Sequence, residues 1–219
     1  MSSLWSLAAW DAFQSIGSSQ SYPPGVSVCE QGSPVRAVAI LEEGLVKLLR
    51  WESREQPVIV GFRVPGWPLG SAAAILGTSH GVTVETLTRC RILSIAIGEF
   101  LNLIQDNLLV SADLHRIHSR ELMEYVGHLG GLGALSARDR LLRKICEIAI
   151  AQYGSMTKGP LRIELPLSYT DLASAIVTTR QHLSRVLRRL EDENLIRRQR
   201  GGIVIPNVSR FRAAMCSEP

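Results

Sequence analysis

Residues 167–205 read LSYTDLASAIVTTRQHLSRVLRRLEDENLIRRQRGGIVI, and this stretch decides the fold. Ser168, with Asp171 three positions on, has the spacing of an N-cap and an acidic first turn, opening a short helix through Ile176. Ala173 is small, as a steep helix–helix crossing requires. Thr178 and Thr179 follow a tight turn and can cap a second helix running to about Asn194. On that helix Leu183, Val186, Leu187 and Leu190 form one apolar stripe at the helical period. Arg180, Gln181, Ser184, Arg185 and Arg188 occupy the opposite face. An apolar back with an Arg- and Gln-bearing front near the N-terminus suits a helix laid in the major groove. There Arg pairs with guanine O6/N7 and Gln with adenine N6/N7. LIRRQRGGIVI then reads as a strand, a Gly201–Gly202 turn and a second strand. Such a hairpin is a wing whose Arg197, Arg198 and Arg200 can reach phosphate.

Working outward, Ser136 and Asp139 open a helix, ARDRLLRKICEIAIAQYG, with Leu141, Leu142, Ile145, Ile148 and Ala149 on its apolar face and Tyr153–Gly154 at its end. Upstream, the pattern is helical from near Gly98 through Leu129. Leu108, Ala112, His115, Ser119, Leu122, Val126 and Leu129 follow a 4-3-4-3-4-3 spacing along one side of it. That seam either closes a dimer by coiled-coil packing or rests on the chain's own β-domain. Gly127, Gly130, Gly131 and Gly133 weaken the helix end and read as a hinge. From Gly25 to about Ile97 the runs VSV, VRAVAIL, LVKLLRW, PVIVGFRV, VTVETL and CRILSIAI alternate with turn residues, the texture of antiparallel strands in a sandwich or barrel. A short N-terminal helix ends near Phe13, where GSSQSYPPG breaks it.

A length of 219 residues accommodates two compact domains. The charge is unevenly placed. After residue 135 there are 15 Lys and Arg against 8 Asp and Glu, and before it 9 against 12. A basic C-terminal part behind a mildly acidic one suggests a polyanion reader attached to something else. Cys29, Cys90, Cys146 and Cys216 stand far apart, without zinc-type or iron–sulfur spacing, and read as reduced, mostly buried thiols. No metal site is expected. No apolar run would span a bilayer, and MSSLWSLAAWDAFQ lacks the n- and h-regions of a signal peptide, so the expected compartment is the cytoplasm. HExxH, GxSxG and GxxxxGK motifs do not occur, so an enzyme is not expected.

The segment TTRQHLSRVLRRLEDENLI resembles the recognition helix of the CRP/FNR (cyclic-AMP receptor / fumarate-nitrate reductase regulator) superfamily of bacterial transcription regulators. Upstream, PPGVSVCEQGS, AILEEGLVKLL and PGWPLGS resemble the same family's β-roll at matching intervals, so the likeness covers nearly the whole chain. The fold it implies is α+β: an N-terminal cyclic-nucleotide-binding-like β-roll (jelly-roll) sensor over 1–106, a dimerisation helix and hinge over 107–135, and a winged helix-turn-helix over 136–219. The function it implies is sequence-specific DNA binding by a homodimer on a pseudo-palindromic site, with RNA polymerase as a further partner. Arg180 and Arg185 match the arginines that contact bases or adjacent phosphates. Gln181 stands where a glutamate usually reads cytosine, so the preferred half-site should differ. Thr170, Thr179 and His182 match backbone-contacting positions, Ser184 shares the groove face, and Val177 replaces a common turn glycine.

Members of the family that bind cyclic AMP use a glutamate for the ribose and an arginine for the phosphate. Here Ser71 replaces the glutamate, and the arginine's position falls around His80, Gly81, Val82 and Thr83. Control by cyclic AMP in the usual way is therefore not expected, because a buried phosphate without a cation is costly. An apolar effector, or none, is compatible with Ser71, Ala72, Ala73 and Ala74, and the candidate effector pocket comprises Ser71, Ala72, His80, Val82 and Thr83. His115 and His118, one turn apart, leave haem ligation open, with His80 as a possible neighbour. The alternative function is a ligand-binding interaction module that has lost DNA reading.

Overall fold

The structure, a computed structural model, describes residues 4–52, 57–153, 155–156, 159–165 and 167–216. Contacts divide the chain into two compact units, Met1–Val126 and Gly127–Pro219.

The first unit opens with helix α1 (Leu7–Ile16), capped by the Ser6 hydroxyl. Strands follow as β1 (Ser18–Tyr22), β2 (Ser27–Cys29), β3 (Ala37–Glu43), β4 (Val46–Arg50), β5 (Val58–Arg63) and β6 (Pro68–Leu69). Helix α2 (Ser71–Leu76) precedes β7 (Thr83–Thr86) and β8 (Cys90–Ala96), then come helix α3 (Ile97–Asp106) and helix α4 (Leu108–Ala134), whose last residues, from Gly127, belong to the second unit. Two four-stranded antiparallel sheets result, β1-β8-β3-β6 and β2-β7-β4-β5. Leu41, Leu69 and Ile92 of the first sheet and Val46, Leu48 and Val84 of the second form one buried cluster. Val38, Ile40, Leu93 and Ile95 form another with Phe13, Phe100, Val110, Leu114 and Ile117 from the helices. The period-2 alternation of β8 explains the division: Ile92 goes to one cluster, Leu93 and Ile95 to the other.

All six Val/Ile/Leu-rich runs form strands. Two local readings change. SSQSY, which the prolines after it mark as a break, is strand β1, paired with β8 from Ser18↔Ser94 to Tyr22↔Cys90. Its residues are polar because four of the five are exposed, so burial left no apolar signature. The helical stretch is also interrupted at Asn107, which has extended backbone angles (φ −118°, ψ 101°) and whose Oδ1 accepts from Leu109 and Val110 N–H at 3.1 and 3.2 Å. Helix α4 then runs through Gly127, Gly130, Gly131 and Gly133 to Ala134. Of the thiols, Cys90 is buried while Cys29 and Cys146 are half-buried. Burial pushes the Cys29 thiol up to about 11. The side chain of Cys216 and the expected helix end at Gly154 lie outside the described residues.

The second unit comprises α5 (Ala137–Tyr153), β9 (Leu161–Glu164), α6 (Tyr169–Ala175), α7 (Arg180–Asp192), β10 (Arg197–Gln199), β11 (Gly202–Ile205) and α8 (Val208–Cys216). Leu141, Leu142, Ile145, Ile148 and Ala149 of α5 are all buried, the apolar face expected of it. The wing hairpin β10–β11 gains a third strand, β9, in the order β10-β11-β9. No described helix is long and apolar enough to cross a membrane.

Candidate nucleic-acid interface and effector region

Local sequence dictates both helices of the turn. Ser168 caps α6 by accepting from Asp171 N–H at 3.0 Å, and Asp171 returns the bond to Ser168 N–H at 3.2 Å, a reciprocal pair that satisfies two otherwise orphaned donors. Thr179 caps α7 by accepting from His182 N–H at 3.2 Å. Helix α6 ends with Val177 N–H on Ser174 O at 3.0 Å and Thr178 N–H on Ala173 O at 2.9 Å, the pattern that places the first of these two donor residues in the left-handed region. Val177 is that residue, at φ 51°. The turn keeps its geometry and the valine bears the strain. Helix α7 ends the same way around Asn194 at φ 55°, with Leu195 N–H on Leu190 O at 2.9 Å.

A left-handed β-branched residue costs about 1–3 kcal/mol, against roughly 0.5–1 kcal/mol for the extra chain entropy of glycine. Val177 is half exposed, so little burial is lost on removing it. Val177→Gly is therefore expected to stabilise this unit by about 1 kcal/mol, read as a rise of a few degrees in its thermal midpoint. An unchanged or lower midpoint would remove the strain argument.

On α7 the two faces separate cleanly. Leu183, Val186, Leu187 and Leu190 are buried, while Arg180, Gln181, His182, Ser184, Arg185, Arg188 and Arg189 are exposed. Thr170 on α6 and Arg197 and Arg200 of the wing are exposed as well. Arg198 differs from its neighbours. Its Nε donates to Glu191 Oε2 at 2.8 Å, Nη2 donates to the same oxygen, and Nη1 donates to Tyr169 Oη at 3.2 Å. Those bonds hold the Glu191 carboxyl below the usual carboxylate range.

Sequence reasoning missed Arg140. From α5 its guanidinium reaches Ile176 O at 2.9 Å, Val177 O at 3.3 Å and Leu135 O at 2.6 Å, and so holds the turn between α6 and α7. Its only local signal is an arginine in the first turn of an otherwise apolar-faced helix, which distinguishes nothing.

In the first unit the proposed effector residues do not behave alike. Ser71, His80 and Thr83 are buried, Val82 and Ala73 are half-buried, and Ala72 is exposed. Ser71 Oγ lies 3.0 Å from His118 Nε2, and Thr83 Oγ1 accepts from Gln31 N–H at 3.0 Å. His80 packs so closely on Gly70 (φ 82°) that a Cβ there would lie 2.7 Å from the ring. Burial lowers the basicity of both His80 and His118. His115 is exposed, with Nδ1 3.0 Å from Ser111 O. The histidines thus have protein partners or solvent, and His80 is not among the contacts of the other two.

A cation the motif comparison did not anticipate stands nearby. Arg63, on β5, is 5% exposed. Its Nη2 donates to Glu121 and, at 3.0 Å, to Tyr125 Oη. Its Nη1 donates to Phe62 O at 2.9 Å, and its guanidinium carbon lies 4.9 Å from the Trp67 ring centroid. The seven seam residues of α4 are all exposed, with Leu108 at 83%, Leu122 at 62%, Val126 at 55% and Leu129 at 67%. Val110, Leu114 and Ile117 pack on the β-domain instead. One face of α4 packs on its own domain and the other is exposed.

Residues 139–214 match the family model of the Crp-like helix-turn-helix domain, and residues 19–107 match that of the cyclic nucleotide-binding domain. The cAMP-activated global transcriptional regulator CRP of Salmonella typhimurium is 23% identical over 176 residues, covering 80% of this chain and 83% of its own. The CRP-like protein Clp of Xanthomonas campestris pv. campestris is 22% identical over 183 residues, covering 80% and 78%. The solved structure of FixK2 from Bradyrhizobium japonicum aligns with a TM-score of 0.79 at 20% identity, over 93% of this chain and 100% of its own.

Proposed function

This chain belongs to the CRP/FNR superfamily of bacterial transcription regulators, and from that premise we propose how it reads DNA and what does not control it. It is a DNA-binding regulator of that type. Two copies pair along the exposed α4 seam, and their α7 helices enter successive major grooves of a pseudo-palindromic site in the cytoplasm. Arg180, Gln181 and Arg185 read base edges, while Thr170, Thr179, His182, Ser184 and Arg200 contribute backbone and flanking contacts. RNA polymerase is the further partner the family implies. The observation that carries this reading is the sorting of α7: four aliphatic side chains buried, and every arginine and the glutamine outward.

Cyclic AMP held in the family's usual way does not fit these residues. Ser71 engages His118, no arginine stands at residues 80–83, and Arg63 is already neutralised by Glu121. A cyclic phosphate would have to compete with a carboxylate for that guanidinium, at the desolvation cost of both.

Selection from a random duplex pool, with no nucleotide added, tests both statements. The expected product is a pseudo-palindrome with half-site centres about 10 base pairs apart. Addition of cyclic AMP is expected to change neither enrichment nor the thermal midpoint. A ligand present at 100 times its Kd would add about 2.7 kcal/mol, a shift of several degrees that such a scan resolves. Recovery of no consensus sinks the DNA reading; a midpoint rise of that size sinks the exclusion of cyclic AMP.

A further inference from the structure

We propose that Arg198, although it lies in the wing between two exposed arginines, is not a phosphate contact but a positioning residue that sets the wing against the recognition helix. The inference rests on the DNA-reading proposal above and adds to it a division of labour among the wing cations.

Three elements meet at this one guanidinium. Glu191 belongs to the last turn of α7, Tyr169 begins α6, and Arg198 is the middle residue of β10. Both carboxylate oxygens of Glu191 are used: Oε1 accepts the backbone N–H of Arg198 at 3.0 Å, and Oε2 accepts its side chain. The guanidinium in turn donates from all three nitrogens. The side chains are 35% and 27% exposed, so the pair is partly withdrawn from water and less screened than a surface ion pair.

Strand β10 needs such a tie. It has three residues, all exposed, and among the described residues pairs only with β11, at the edge of the sheet. A short edge strand of this kind has little burial to set its pitch. Arg197, whose Nη2 donates to Asn194 Oδ1 at 3.4 Å, and Arg200 flank Arg198, so fixing Arg198 fixes the course of the backbone that carries both. Transfer of the Arg198 guanidinium to a phosphate would strip Glu191 of its counter-charge and leave an unneutralised carboxylate in the anionic field of the duplex. Bonded as it is, the pair presents no net charge there.

The two roles predict opposite signs for one substitution. If Arg198 binds phosphate, Glu191→Gln removes a competing negative charge and binding tightens. If Arg198 positions the wing, Glu191→Gln loosens it and binding weakens. Affinities are measured by fluorescence anisotropy on the duplex selected with the parent protein, over a series of salt concentrations. Glu191→Gln and Arg198→Gln are each expected to weaken binding by about tenfold. Their combination is expected to be no weaker than either alone, because each removes the same interaction. The salt slope should stay unchanged in all three, whereas Arg200→Gln should lower it by about one.

Binding by Glu191→Gln as tight as the parent's or tighter, or a reduced salt slope for Arg198→Gln, overturns the proposal. Should Glu191→Gln melt below the assay temperature, Tyr169→Phe carries the comparison, since it deletes one acceptor from Arg198 and no charge. A few-fold weakening at constant slope then supports the positioning role, and no change overturns it. Failure of the underlying DNA reading looks different: the parent itself then recovers no duplex, and the proposal falls with it.

Discussion

Alanine at both Arg180 and Arg185 is expected to abolish discrimination between the selected duplex and a base-permuted one while leaving the fold intact. Both side chains are exposed on α7 and contribute nothing to the buried stripe beneath them. Each well-placed bidentate pair to a base is worth about 1–3 kcal/mol of discrimination. Removing two per subunit therefore costs on the order of 100-fold or more on the specific duplex. Weak, salt-sensitive attachment to any duplex should persist, because Arg188, Arg189, Arg197 and Arg200 remain on the surface. Gln181 refines the expectation. An amide both donates and accepts, so it selects adenine where a carboxylate would select cytosine, and Gln181→Glu should shift the preferred base there. Unchanged affinity of the double alanine variant for the selected duplex would defeat the groove reading and favour an interaction module that no longer reads DNA.

Charging the α4 seam is expected to have an equally large effect by a different route. Leu122 and Val126 are one turn apart and more than half exposed in the single chain. Aspartate at both should cost the isolated chain little, since exposed substitutions usually lie within about 0.5 kcal/mol. In a paired seam the same change sets carboxylates against their symmetry mates in a desolvated interface. The expected result by light scattering is a shift from a dimer to the 24.1 kDa single chain. Affinity for the palindrome should fall by about 10²–10⁴, the gain that bivalent attachment provides, while a single half-site is bound as before. A parent protein that is monomeric at tens of micromolar would remove the dimer from the proposal without touching the α7 groove face.

Both expectations start from features that the amino-acid sequence carries by itself. The stripe at Leu183, Val186, Leu187 and Leu190, the caps at Ser168 and Thr179, and the outward arginines of α7 all rest on contacts within a few residues. Helical period and hydrogen-bonding chemistry determine them locally. The seam of α4 was legible for the same reason, as a spacing. What it left open was the fate of the rest of that helix. The structure places Val110, Leu114 and Ile117 on the β-domain and leaves the seam residues exposed, so the face with the 4-3 spacing is not the one its own domain buries.

Strand β1 shows where local reading fails. Its five residues carry no apolar period because its position at the sheet's edge leaves it mostly exposed, and only the ladder to β8, some seventy residues away in the chain, makes it a strand.

The sequence by itself determined which face of α7 is apolar and which is polar, and that no arginine stands at residues 80–83. Only the tertiary structure decided what each arginine does. Arg63 is committed to Glu121 across 58 positions, Arg140 to the carbonyls of the turn across 36 and 37, and Arg198 to Tyr169 across 29. A guanidinium's partner is whatever acceptor the fold brings within about 3 Å, and no spacing along the chain encodes that distance.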